Sequence, residues 1–273
     1  MFENEIKEQI EVTVLGKTFT SDEERRTYFR EELRKKLPEL KKMEGFPIGE
    51  DDDIINLSDP PYYTACPNPW LNDFIEEWES QKIELIKDGK RNSNFRVSEP
   101  YASDVSVGKN NAIYNAHSYH TKVPHPAIMR YILHYTQPGD IIFDGFAGTG
   151  MTGVASQLCG SPLLKTKQSI EKDFSINKMA IPNWGERKSI CSDLSPIATF
   201  ISSVYNTSSN LKKVEKEVEL MLNELSNRFN TLYETKHSNN SNGLVNYYVW
   251  SEIFICQNCQ NEFTLWDRAV EPE

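Results

Sequence analysis

Three glycines fix the first decision about this chain. Gly148, Gly150 and Gly153 stand in the run FDGFAGTGMTGVAS, residues 143–156, as a literal G-x-G-x-x-G. The apolar stretch Ile141-Ile142-Phe143 runs into it, and GVASQLC reads as a helix running out of it. Strand, glycine turn and helix in that order let backbone N–H groups and a helix N-terminus approach an anionic or nucleotide-like ligand closely. The expected fold class is α/β, with a Rossmann-like sheet.

The spacing of acids after the turn selects among ligands. A dinucleotide site wants a carboxylate about 20 residues further on, for the ribose hydroxyls. The first acids are Glu171 and Asp173, inside what reads as a loop over 160–187. The acid that follows a strand, RKSICSD, is Asp193, far beyond that spacing. An NAD-dependent oxidoreductase is therefore a poor fit, although Asp193 at the end of a second strand suits the ribose of any adenosine-like ligand.

The remainder of the chain frames this unit. Residues 9–20 alternate as a strand and turn, and Ser21 reads as an N-cap with Asp22, Glu23 and Glu24 in the first helical turn. The helix continues through RRTYFREELRKKL to about Pro38, and its mixed charges read as a solvated face. After the acidic run 50–53, IINLSDPPYYT reads as a short strand stopped by two prolines. Residues 70–87 place Leu71, Phe74, Ile75 and Trp78 at helical spacing, and 88–118 read as a long loop. Pro126 opens a helix, AIMRYILHY. Residues 211–236 form an amphipathic helix whose stripe from Val214 to Leu232 reads as core. The expected segments are 1–50, 51–208, 209–243 and 244–273.

Charge narrows the partners. The formal net charge is −10, so no whole-chain basic footprint for nucleic acid exists. Yet residues 105–139 hold no Asp or Glu and carry Lys109, Lys122, Arg130 and four of the 5 histidines. Either this segment is buried and mostly neutral, or it faces something anionic. No apolar run approaches the roughly 20 residues of a membrane helix. The start, MFENEIKEQIEV, lacks the basic region and apolar core of a secretory signal. With 5 cysteines, an odd number, the chain reads as cytoplasmic.

Asp59-Pro60-Pro61-Tyr62 is the second pattern with chemistry in it. An exocyclic amine of adenine or cytosine is a poor nucleophile, because its lone pair is delocalised into the ring. A carboxylate and the carbonyl of Pro60 can each accept one of its N–H groups, orienting the nitrogen and offsetting the charge it gains. Tyr62 offers a ring to a base flipped out of the duplex. A plain Pro-Pro turn is the competing reading of these four residues alone.

Together the motifs resemble a known family. Asp144, Phe146, Gly148, Gly150 and Thr152 read D-x-F-x-G-x-G-x-T, similar to the S-adenosyl-L-methionine (AdoMet) motif of amino-group DNA methyltransferases, with Gly145 where that family usually has proline. Thr121-Lys122-Val123-Pro124, followed by a helix, looks like the TxKP-like stretch that precedes that motif. Taken with SDLSPIATFIS and a late CxxC, the order resembles large prokaryotic site-specific DNA methyltransferases that carry a zinc ribbon. The resemblance implies AdoMet as cofactor and double-stranded DNA as partner, in restriction-modification or phage defence, with adenine N6 ahead of cytosine N4. It implies a pocket lined by Tyr119, His120 and Thr121, Lys122 near the methionine carboxylate, and Asp193 on the ribose. Cys256 and Cys259 would be half of a structural zinc site, which takes four ligands. The half site, the few strands and a second, DPPF-like motif downstream of the ribbon in that family imply a missing C-terminal portion or a partner subunit. Asp59, Pro60, Pro61 and Tyr62 are the expected catalytic residues; if the later motif is the catalytic one, they are structural or auxiliary, and an inactive remnant that binds AdoMet or DNA is the alternative.

Overall fold

The computed structural model describes residues 11–270, and Gln9 and Ile10 of the expected first strand lie outside them. The chain divides into two compact units, at Thr207 and Ser208. The first opens on an antiparallel hairpin, β1 (Val12–Val14) and β2 (Lys17–Phe19), rather than on one strand. Leu15 and Gly16 turn the chain with φ of 47° and 72°, the left-handed conformation that a two-residue hairpin loop requires.

Helix α1 (Asp22–Leu40) starts where Ser21 accepts the Glu24 amide, and Glu24 reaches back to the Thr20 amide and hydroxyl. Pro38 lies inside it. Its charged appearance conceals a stripe. Arg25, Phe29, Leu33 and Leu37 are all buried, four residues apart each time, and side chains at that spacing share a helix face. Phe29, Leu33 and Leu37 pack with Val14, Phe19, Ile54, Ile55, Trp70 and Phe74 in one core. Burying a Leu or Phe fully contributes ~1.5–3 kcal/mol each.

The expected strand before Asp59 is a helix, α2 (Asp51–Leu57). Asp51, Asp52 and Asp53 form its first turn, where negative charge suits the helix dipole, and Ile54 and Ile55 turn into the core. Helix α3 (Leu71–Lys87) follows, with Phe74 buried and Ile83 and Ile86 exposed. The long 88–118 stretch holds one short helix, α4 (Ala112–Asn115), capped by the Asn111 side chain.

Helix α5 (His125–Tyr135) leads to β3 (Ile141–Asp144), α6 (Met151–Leu158), α7 (Leu164–Ile176), β4 (Lys188–Cys191) and α8 (Pro196–Asn206). β3 and β4 are parallel, with Ile141 opposite Lys188 and Asp144 opposite Cys191. Parallel neighbours need a crossover, and α6 and α7 supply it. Helix α7 occupies what reads in sequence as a loop, and its acids are engaged: Asp173 binds Arg130 and Glu171 accepts the Trp184 indole N–H. Met129, Ile132, Leu133, Ala155, Cys159, Ile170 and Phe174 form the second core, and Ile142 packs on it. Phe143, on the opposite face of β3, is 71 % exposed. Parallel sheets are normally covered on both faces; this one, two strands wide, is covered on one.

The second unit holds α9 (Leu211–Phe229), a 3-10 turn (Asn230–Leu232), the hairpin β5 (Glu234–Lys236) and β6 (Asn242–Leu244), the hairpin β7 (Ile253–Ile255) and β8 (Glu262–Thr264), and α10 (Leu265–Ala269). The helix expected over 211–236 ends at Phe229, and Glu234–Lys236 is strand; the apolar stripe does not form a core, since Val214, Val218, Met221, Leu222, Leu225 and Phe229 of α9 and Leu232 of the 3-10 turn are all exposed. Among the described residues no helix is long and apolar enough to cross a membrane.

Candidate active site

The glycine turn is closed by its own acid. Asp144 ends β3; its Oδ1 accepts the Phe146 amide at 3.1 Å and its Oδ2 accepts the Thr152 hydroxyl at 2.6 Å. The two ends of the expected D…T motif are thus joined across the turn. Gly148 and Gly150 take φ of 52° and 80°, which a side chain strains. A Cβ on Gly150 would lie 2.2 Å from the Ser202 hydroxyl of α8, and one on Gly148 would lie 3.1 Å from the Tyr119 ring. The turn needs glycine twice, for conformation and for close approach.

Asp193 is tied to this turn from the far strand. Its Oδ2 accepts the Gly148 amide and its Oδ1 the Ser195 amide, each at 2.9 Å. An ionised carboxylate has about four lone-pair sites, so two amides leave acceptor capacity for hydroxyl donors. Phe146 stands 87 % exposed beside the turn.

The segment before α5 wraps over the same place. Tyr119 is half-buried against Gly148, while His120 and Thr121 are exposed. Lys122 is buried, and its ammonium donates to the carbonyls of Tyr114 and His117 and sits 4.6 Å from the Tyr114 ring centroid. Burial lowers its pKa. Two of its three donors hold its own segment. His117 Nδ1 lies 3.1 Å from the Tyr205 hydroxyl, which donates to the Ile113 carbonyl, so α8 anchors the segment. Both readings of the acid-free stretch meet here: Lys122, His125 and Arg130 are buried, while Lys109 is exposed.

Helix α8 also joins the two motifs. Asn206 donates to the Gly150 carbonyl, and the Thr199 hydroxyl lies 3.3 Å from that of Tyr63, next to Tyr62. The Asp59 turn itself is a narrow loop in which Asp59 and Tyr63 exchange both backbone hydrogen bonds. Side chains pin it on several sides: Arg30 donates to the Ser58 carbonyl and Asn68 to the Pro61 carbonyl.

Arg25 decides the electrostatics of that turn. Its side chain is 2 % exposed. Nη1 donates to the Pro60 carbonyl at 2.5 Å, Nη2 to Asp59 Oδ1 at 2.9 Å, and Nε to Asp22 Oδ1 at 2.9 Å. The guanidinium carbon lies 5.1 Å from the Tyr62 ring centroid. Burial works against this charge, but Asp22 and Asp59 outweigh it and raise the pKa of Arg25. Burial also pushes the Tyr62 phenol up. Tyr62 stacks on Phe74 with ring centroids 5.8 Å apart.

Sequence reading overlooked Arg25, Tyr63, Thr199, Ser202 and Asn206. For Arg25 a signal existed, in its i, i+4 register with Phe29, Leu33 and Leu37. For the others none did, because their roles come from where α8 lies.

Cys256 and Cys259 sit on the β7–β8 hairpin, where Cys256 N donates to the Asn261 carbonyl. Amides of Cys259 and Asn258 directed at the Cys256 sulfur lower its pKa, whereas burial raises Cys159 to about 12. A thiolate-favouring loop suits a metal ligand. Two thiols are half of the four ligands that structural zinc takes, and among the described residues no group of three or more His, Cys, Asp or Glu could hold a metal. The residues present do not complete a zinc site.

Residues 67–170 match the family model described as DNA methylase. The match supports a site-specific DNA methyltransferase. It spans Tyr119–Lys122 and the Asp144–Thr152 turn, begins after Asp59–Tyr62 and ends before Asp193. No curated protein and no solved structure matches the chain.

Proposed function

We propose that this chain carries the cofactor turn and a base-gripping turn of an AdoMet-dependent DNA amino-methyltransferase. The observation that carries the reading is the Asp193 carboxylate, held against Gly148 N at 2.9 Å with acceptor capacity left over. That is a ribose-binding acid brought to a glycine turn across two parallel strands. Gly148, Gly150 and Phe146 would line the methionine end with Tyr119, His120 and Thr121. Lys122 supports that end through the segment it ties together. AdoMet, when bound, supplies a methyl group made electrophilic by its sulfonium.

The Asp59 turn would orient the target amine. Asp59 Oδ1 and the Pro60 carbonyl converge on the two nitrogens of one planar guanidinium, so the pair has the geometry to grip one planar N–H donor edge. A base amine held there has its lone pair turned out of conjugation and its growing positive charge offset by the carboxylate. Tyr62 supplies the stacking face. We assign the target as adenine N6 ahead of cytosine N4, in double-stranded DNA, within a cytoplasmic restriction-modification or phage-defence setting. That ranking and setting rest on the family resemblance of the DPPY motif.

Calorimetric titration with AdoMet, with NAD as control, tests the cofactor turn: micromolar AdoMet binding without an NAD response is expected, and the reverse overturns it. A labelled-methyl assay on unmethylated DNA then separates the enzyme from the second reading, a remnant that binds AdoMet without transferring methyl. That second reading draws support from the two-stranded sheet and from the filled Asp59 turn.

A further inference from the structure

Three features of the Asp59 turn that would recognise a flipped base are all engaged by one side chain of this chain. The carboxylate of Asp59 and the carbonyl of Pro60 accept N–H groups from Arg25, and the Tyr62 ring faces its guanidinium carbon at 5.1 Å. A guanidinium and the exocyclic amine of a base share a chemistry: N–H groups on a flat conjugated unit that donate hydrogen bonds in its plane while the unit stacks above and below. Arg25 is delivered there by α1, at the N-terminal end of the buried stripe that continues through Phe29, Leu33 and Leu37. The helix is anchored by that core, so the guanidinium is presented by a rigid element.

We infer that Arg25 is an internal occupant of the base seat, so that a target base and the Arg25 guanidinium compete for Asp59, Pro60 and Tyr62. The inference rests on the reading of that turn as a base-gripping site. It adds that the seat is closed as it stands, and that a base is admitted only when the guanidinium swings out. Asp22, which already accepts from Nε and is itself half-exposed, gives the displaced guanidinium a partner nearer solvent. The seat accordingly selects for flat N–H donor edges, and a thymine-like edge without an exocyclic amine gains little from it.

The test compares the full chain with Arg25→Ala and Arg25→Lys, using 9-methyladenine and 1-methylthymine as probes and calorimetry as readout. Arg25→Ala frees the Pro60 carbonyl and the face of Tyr62 and leaves Asp59 Oδ1 only the half-exposed Arg26, whose Nε lies 3.2 Å away. Arg25→Lys keeps a cation between Asp22 and Asp59, and with it the fold, but one ammonium cannot reproduce the planar fork. Expected is an affinity for 9-methyladenine at least ten-fold higher in either folded variant than in the unaltered chain, with no such gain for 1-methylthymine. Millimolar guanidinium added to Arg25→Ala should compete with 9-methyladenine and raise the melting temperature. Equal 9-methyladenine affinity in the unaltered chain and the Lys variant overturns the inference, as does a variant that binds guanidinium but no base. AdoMet affinity, measured on the same samples, reports separately on the cofactor turn: its loss counts against the proposed function while the ratio of base affinities still decides the role of Arg25.

Discussion

Around Asp59 the chain sets its carboxylate against a buried guanidinium; around Asp193 it sets the same group against two backbone amides. Both acids sit in turns that α8 touches, and both are partly exposed. The difference lies in what each would lose if altered. A cation with little water needs its counter-charge, because removing one partner of a buried pair leaves the other uncompensated. Amides at a partly wet turn need only an acceptor, which water can replace. The Asp59 turn is therefore tied to the fold through its counter-charge, and the Asp193 turn is not.

The largest effect is expected where the glycine turn meets the packing. In Gly150→Ala the new Cβ would stand at φ 80°, 2.2 Å from Ser202 Oγ. Left-handed strain costs ~1 kcal/mol and overpacking ~1–3 kcal/mol, so urea denaturation should show a loss of about 2–4 kcal/mol, together with AdoMet binding. Gly16→Ala separates the two causes, since its φ is 72° with open space around the added atom; only the ~1 kcal/mol of strain is expected there. Equal losses at both glycines would mean that α8 does not press on the glycine turn.

The same substitution at the two acids sharpens the contrast. Asp59→Asn leaves Arg25 with Asp22 and the Pro60 carbonyl but removes one counter-charge; with Asp59 21 % exposed, the loss is about 2 kcal/mol, below the full cost of a broken buried pair. Asp193→Asn keeps one acceptor oxygen for Gly148 or Ser195 and turns an N–H₂ toward the other amide, costing ~1 kcal/mol or less. AdoMet affinity should fall at least ten-fold in Asp193→Asn and stay within about three-fold in Asp59→Asn. Thermal melts and calorimetry on both variants check this, and a stability loss larger at Asp193 than at Asp59 would reverse the comparison.

The glycine turn is legible in the sequence because its logic is local. Strand, glycines, Asp144 and Thr152 lie within a dozen residues, and each is required by a backbone or hydrogen-bond condition that residue type alone expresses. The Asp59 turn was legible as a motif but not as a filled one, since Arg25 lies 34 positions from Asp59 and its face of α1 is masked by charges on the others. Residues 51–57 carry the apolar pair Ile54-Ile55 just before two prolines, which reads as strand; the three aspartates ahead of it stabilise a helix N-terminus instead. The α9 stripe teaches the converse: the helical periodicity of its apolar residues holds over Leu211–Phe229 and fails beyond it, and their burial does not follow from it.

Acid sensitivity is the smallest expected difference between the two turns and the most diagnostic of side. At the Asp59 turn the cation is an arginine, which keeps its proton at any working pH. On the glycine side the segment before β3 carries one buried imidazole, His125, and one half-buried, His117. Burial lowers the pKa of His125, whose Nδ1 has no hydrogen-bond partner among the described residues, and burial followed by the charge of Lys122 lowers that of His117. The folded state thus prefers these rings neutral, whereas the unfolded chain takes up protons near the ordinary value of 6.5. Stability is full above that value and falls as the pH drops through the lower folded pKa, at up to ~1.4 kcal/mol per unit of depression. His125→Met removes both the titration and the unsatisfied nitrogen, with a side chain of similar reach. Urea midpoints measured above and below pH 6.5 should therefore converge in His125→Met relative to the unaltered chain, while Asp59→Asn leaves their separation unchanged. If the separation persists in His125→Met and disappears in Asp59→Asn, the mild-acid sensitivity belongs to the guanidinium side, and the division of labour between the two turns fails at its electrostatic root.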